Sequence, residues 1–121
     1  MLVVRFSGRL SDGDVDGMCS AFERAAEQHQ QFGVVITTAD VTLPPLHLLQ
    51  RIADWLAKHR ETMSRRCVAT GLHVDSTVIR GAIKFTNAIT PTPNPQAAFA
   101  TYDETVAWVE GRLAEAGVQP N

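Results

Sequence analysis

Apolar and polar residues alternate over residues 2–6, with Leu2, Val4 and Phe6 on one side and Val3 and Arg5 on the other. That period of two predicts a first β-strand. Ser7 and Gly8 break it, and the period then lengthens. Val15, Met18, Cys19, Phe22, Ala25, Ala26 and His29 recur at helical spacing, while Asp16, Ser20, Glu23, Arg24 and Glu27 fall mostly on the opposite side. This is the pattern of an amphipathic helix capped by Ser11, with Gly33 placed as the glycine beyond its C-terminus. The continuous apolar run 34–36 predicts a central strand covered on both faces. Pro44 and Pro45 suit a helix start, with Thr42 or Asp40 as its cap. Along that helix Leu49, Ile52, Ala53 and Leu56 form the expected core stripe, with Leu48 and Trp55 on its flank. It reads as one helix as far as residue 63.

A second apolar run, 67–74, predicts another inner strand. Asp75 or Ser76 then caps a helix carrying Val78, Ile79, Ala82, Ile83, Phe85 and Ile89, which is apolar around most of its circumference. The segment TPTPNP at 90–95 reads as a stiff polyproline-like connection. Residues 97–100 supply a short last strand. Thr101 and Glu104 have capping-box spacing, and Val106, Ala107, Val109 and Leu113 face inward until Gly117 ends the helix. The sum is an α/β chain: a single-layer, mostly parallel or mixed sheet of about four strands with four helices packed on it. The expected domain is 1–117, with 118–121 a frayed C-terminal tail.

Composition narrows the class. The 121 residues are 45% hydrophobic and 20% charged, ordinary for a globular domain able to bury a core. A net charge of -2 offers no bulk attraction to phosphate backbones or anionic lipid, so nucleic acid is not an expected partner. Cys19 and Cys67 are far apart, without CxxC spacing, and read as reduced thiols. The apolar run at the start is too short for a signal sequence, and no segment reaches transmembrane length, so a cytoplasmic location is expected. No cofactor is implied.

Asp12, Asp14, Asp16 and Glu23 match the calcium-loop pattern D-x-D-x-D-G-x5-E. A strand rather than a helix precedes them, so the favoured expectation is that the three aspartates crowd the first turn of a helix, where carboxylates offset its dipole. His47 and His59 lie about three turns apart on one helix and cannot share a metal ion. Ser76 beside His73 and Asp75 lacks the spacing of a nucleophile elbow, so no catalytic residue is assigned.

The order of elements, with the FSGRLSD start and the segments RIADWLAKHRE, HVDSTVIRGAI and FATYDETVAWVE, resembles the STAS domain, the fold of bacterial anti-sigma-factor antagonists. It is similar to the bacterial branch labelled STAS/SEC14-like. The resemblance implies a regulatory or scaffolding module that is not an enzyme and works through protein–protein contacts. Antagonists of that family carry a phosphorylatable serine in an Asp-Ser-Ser/Thr-Gly-like turn after the strand matching 34–36. Here the turn reads Asp40, Val41, Thr42, Leu43, Pro44, with neither serine nor glycine, and Thr42 reads as a cap.

Ligands of open parallel sheets gather at the carboxyl ends of the strands. The expected binding residues there are Thr38, Asp40, Thr42, His73, Asp75, Ser76 and Arg80. Trp55 and Trp108 are candidate interface anchors for a protein partner or a homo-oligomer. The alternative, from the SEC14-like side of the resemblance, is a small-molecule or lipid-binding domain with an apolar pocket under 78–95.

Overall fold

A computed structural model describes residues 1–28, 30–39, 45–89 and 94–118. Along the chain lie β1 (Leu2–Ser7), α1 (Asp12–Gln28), β2 (Phe32–Ala39), α2 (Leu46–Lys58), α3 (Arg60–Arg66), β3 (Cys67–His73), α4 (Thr77–Ile89), β4 (Gln96–Phe99) and α5 (Tyr102–Glu115). The four strands form one sheet in the order β1-β2-β3-β4. Every pairing is parallel, with Val34 beside Leu2 and Thr70, and Thr37 beside Arg5 and His73.

The alternation along β2 divides the core into two layers. Phe32 and Val34 point to one face, where Met18, Phe22 and Ala25 of α1, Met63 of α3 and Cys67 close over them. Leu2, Val4 and Phe6 extend that layer along β1 as half-buried residues. Val35 points to the other face, beneath Val109 and Leu113 of α5. Val34, Val35 and Val109 are all 0% exposed, as expected where a sheet is covered on both sides.

The approach of α5 is set by two glycines. A Cβ added at Gly33 would fall 2.6 Å from Val109 Cγ1, and one at Gly71 would fall 2.8 Å from both Val109 Cγ2 and Thr105 Cγ2. Gly33 therefore belongs to the interior of β2 and is not the terminator of α1 that its position in the sequence suggests. The buried Thr105 satisfies its hydroxyl by donating to the Thr101 carbonyl at 2.7 Å. Thr101 caps the helix as its spacing predicts, accepting from the Glu104 amide at 3.2 Å. At the far end Gly117 takes φ 75° and Val118 packs on the second layer, while residues 119–121 of the expected tail lie outside the described residues.

The structure corrects two expectations about helices. The segment read as one helix to residue 63 is two, so the described residues form five helices. The break is at His59, whose backbone (φ -105°, ψ 16°) leaves the helical region. Its amide keeps the helical bond to the Trp55 carbonyl oxygen at 3.0 Å, and its Nδ1 lies 3.0 Å from the same oxygen. The chain then turns so that Met63 enters the core. The face of α2 is also rotated from the expected stripe. Leu48 is 1% exposed, Ile52 and Trp55 pack on the first layer, and Leu49 and Ala53 are exposed.

Because the Thr105 carbonyl oxygen also stands 3.3 Å from the added Cβ, Gly71→Ala cannot be absorbed by side-chain rotation alone. The expected cost is about 1–3 kcal/mol, read as a lower urea midpoint at unchanged slope. Val109→Ala in the same chain should cost less there than in the wild type, since it removes one of the two clashing side chains.

Candidate functional site

At the carboxyl edge of the sheet, the ends of β2 and β3 and the start of α4 converge on His73. Its Nδ1 is 2.7 Å from Thr37 Oγ1, and its Nε2 is 3.1 Å from Asp75 Oδ1. The Asp75 carboxylate can only accept, so Nε2 carries a proton, and in the neutral ring Nδ1 accepts from the Thr37 hydroxyl. Thr38 donates to the His73 carbonyl at 2.8 Å. The ring is largely covered, its side chain 17% exposed, and Tyr102 of α5 lies 6.5 Å away between ring centroids. Arg5 places its guanidinium 5.6 Å from the centroid of the Tyr102 ring.

Of the residues expected at this edge, Thr38, His73 and Asp75 come together. Ser76 and Arg80 serve the turn beside them. Ser76 Oγ accepts from the Ile79 amide at 3.2 Å and caps α4, and Arg80 donates to the carbonyls of Val74 and Asp75 at 2.6 and 2.9 Å. Asp40 and Thr42 lie outside the described residues. Thr37, Tyr102 and Arg5 belong to the cluster and escaped the sequence reading, because their partners are fixed by strand register and by the position of α5. The line Thr37–His73–Asp75 joins β2, β3 and the connection into α4. It ties the end of the sheet to the helix that follows.

The calcium-loop pattern takes no loop geometry. Asp12, Asp14, Asp16 and Glu23 all lie within α1, the first and last about 16 Å apart along its axis. The favoured expectation of a helix N-terminus holds in detail: Ser11 and Asp14 form a reciprocal cap, the Ser11 amide donating to Asp14 at 2.9 Å and the Asp14 amide to Ser11 Oγ at 3.2 Å. Arg51 of α2 donates to Asp12 at 2.7 Å and to Asp16. The guanidinium holds the Asp12 carboxyl below its usual range, with a smaller contribution from His47 at 3.6 Å. Among the described residues, no group of three His, Cys, Asp or Glu side chains is placed to hold a metal.

Neither cysteine has the surroundings of a nucleophile. Burial pushes the Cys67 thiol up, and burial with the charges of Glu23 and Asp16 pushes up that of Cys19. Two open clefts, of about 420 and 460 Å³, lie between α1 and the α2–α3 pair, meeting at Glu23 and Trp55. Part of the stretch 78–95, under which a ligand pocket was expected, lies outside the described residues.

Both tryptophans are half-buried and engaged within the chain. Trp55 donates to Glu23 at 3.2 Å and stacks on His59 at 4.3 Å, while Trp108 packs on Phe99 at 5.7 Å. The large apolar side chains left open are elsewhere. On α4, Val78 is 82% exposed and Phe85 68%, and on the first turn of α2, Leu46 is 75% and Leu49 41% exposed. Val78, Gly81, Ala82 and Phe85 are all exposed and follow i, i+3, i+4, i+7, so α4 presents a continuous apolar stripe to solvent. A pattern apolar around most of the helix carried this signal, but periodicity alone could not say which side the sheet would take.

No family model and no curated protein matches the sequence. Among solved structures, the chain is similar to an uncharacterised protein of the DUF3478 family with a SpoIIAA-like fold from Shewanella loihica PV-4. The two are 17% identical, with a TM-score of 0.64 over 88% of this chain and 81% of that one. The chain therefore has a SpoIIAA-like α/β fold, the STAS-like architecture its element order resembles. No helix among the described residues is long and apolar enough to cross a membrane.

If the Thr37–His73 bond helps to hold the sheet end, a double-mutant cycle of Thr37→Val and His73→Gln will give a coupling of about 1 kcal/mol in urea unfolding. Additive effects would mean that the two side chains do not work together.

Proposed function

We propose that the chain is a non-catalytic, STAS-like module that acts through contact with a protein partner, and that the stripe of α4 is the surface used. The observation that carries this reading is the exposure of Val78 and Phe85 along one line of a helix. Single exposed apolar residues are common on soluble proteins, but a contiguous apolar strip marks an interaction surface. Leu46 and Leu49, in the first turn of α2, add apolar surface at the carboxyl edge, where α4 also begins. The partner's chemistry follows from the helix: α4 contains Arg80 and Lys84 but no carboxylate, which favours an apolar patch with neutral or acidic flanks.

The SpoIIAA-like fold supports a module rather than an enzyme, and the Thr37–His73–Asp75 line is read here as the support of the α4 end. The described clefts lie between α1 and α2–α3, away from the stripe. Partner binding through α4 would give the module a regulatory or scaffolding role.

A photo-crosslinking amino acid at position 85, introduced in the native host, tests this directly, with the exposed position 61 on α3 as its control. A discrete protein adduct at 85 and none at 61 is the expected result. Equal labelling at both positions, or none at 85, would contradict the proposed surface. Phe85→Ser should then weaken binding to the captured partner by about tenfold or more, as expected for an aromatic anchor.

A further inference from the structure

We infer that β1 is a docking edge for a second copy of this chain, paired antiparallel about a two-fold axis at Val4. The two edges of the sheet are built differently. β4 is four residues long and follows Pro95 directly, features that shorten and blunt an edge. β1 has six residues and no proline, and among the described residues only β2 pairs with it. Its outer row of backbone N–H and C=O groups is a template for another strand. Arg5 is the one charge in β1, and its guanidinium lies 5.6 Å from the centroid of the Tyr102 ring of α5. Leu2, Val4 and Phe6, which face the first core layer, remain only half-buried along this edge.

The sequence of β1 selects its own copy as the occupant. Directly opposite residues of an antiparallel pair share a face, so the two-fold must pass through a residue and not between residues. An axis at Arg5 sets the two arginines against each other, and an axis at Val3 leaves Phe6 without an opposite residue. The axis at Val4 places Leu2 opposite Phe6 and Val4 opposite itself on the helix-covered face, continuing the apolar layer across the junction. On the other face it sets each Val3 opposite the Arg5 of the second copy. No like charges meet, and the exposed Val3, 37% accessible, gains a neighbour. Two four-stranded sheets thereby become one of eight, an isologous arrangement in which each strand supplies the same surface. This edge is separate from the α4 stripe, so both contacts can be made together.

The test is sedimentation equilibrium of the full chain with two substitutions at Val3, whose exposure allows either without disturbing the core. Val3→Glu places a carboxylate opposite each Arg5 and should tighten the dimer about tenfold. Val3→Lys creates two like-charge pairs and should weaken it by a similar factor. Circular dichroism confirms that each variant is folded. A chain that stays monomeric at its highest soluble concentration, even with Val3→Glu, would overturn the proposal. So would a dimer that ignores both substitutions, or one weakened by both, since the register at Val4 requires opposite signs.

Discussion

The contact of Val109 with the backbone of β2 and β3 holds the rest of the fold in place. With no side chain at Gly33 or Gly71, the helix α5 settles directly on two central strands, and Val109 is fully removed from water between them. This close approach closes the second face of the sheet with a single helix and frees α1, α2 and α3 to cover the first. It also fixes where Tyr102, in the first turn of α5, meets the carboxyl edge. The side chains around His73 are therefore organised from two directions, by strand register below and by the seating of α5 above.

Local features were legible wherever a short-range rule decided them. The alternation of β1, the buried run in β2 and the Thr101–Glu104 cap all follow from neighbours a few residues away. The face of α2 was not legible in the same way. Leu48 and Leu49 are adjacent and equally apolar, so the choice of Leu48 for the core depended on where the sheet lay. The break at His59 lies inside a continuous run of helix-forming residues, and no periodicity marks it. The aspartates of α1 show the converse case. A pattern that matches a calcium loop letter for letter is overruled by the cap at Ser11, which commits those residues to a helix.

The same contrast explains what could be read of the site. Thr38, His73 and Asp75 were reachable from topology, because parallel strands deliver their ends to one edge. Thr37, its register partner, and Tyr102, which arrives from the last helix, needed the tertiary structure. The cluster they form is engaged with itself, whereas Val78 and Phe85 on the next helix are 82% and 68% exposed. A fold that secures the beginning of α4 so fully, and then leaves its apolar stripe in solvent, has the construction of a presented surface.

The most direct test of that account is the size at which the tagged chain elutes from a gently prepared extract of its host, compared with Val78→Ser/Phe85→Ser and with the purified protein. Both positions are exposed, so the double variant should fold as the wild type does. The account predicts that the wild type elutes in a larger assembly and that the double variant returns to the position of the pure protein. Identical elution of the two forms in the extract would contradict a role for α4 in partner contact.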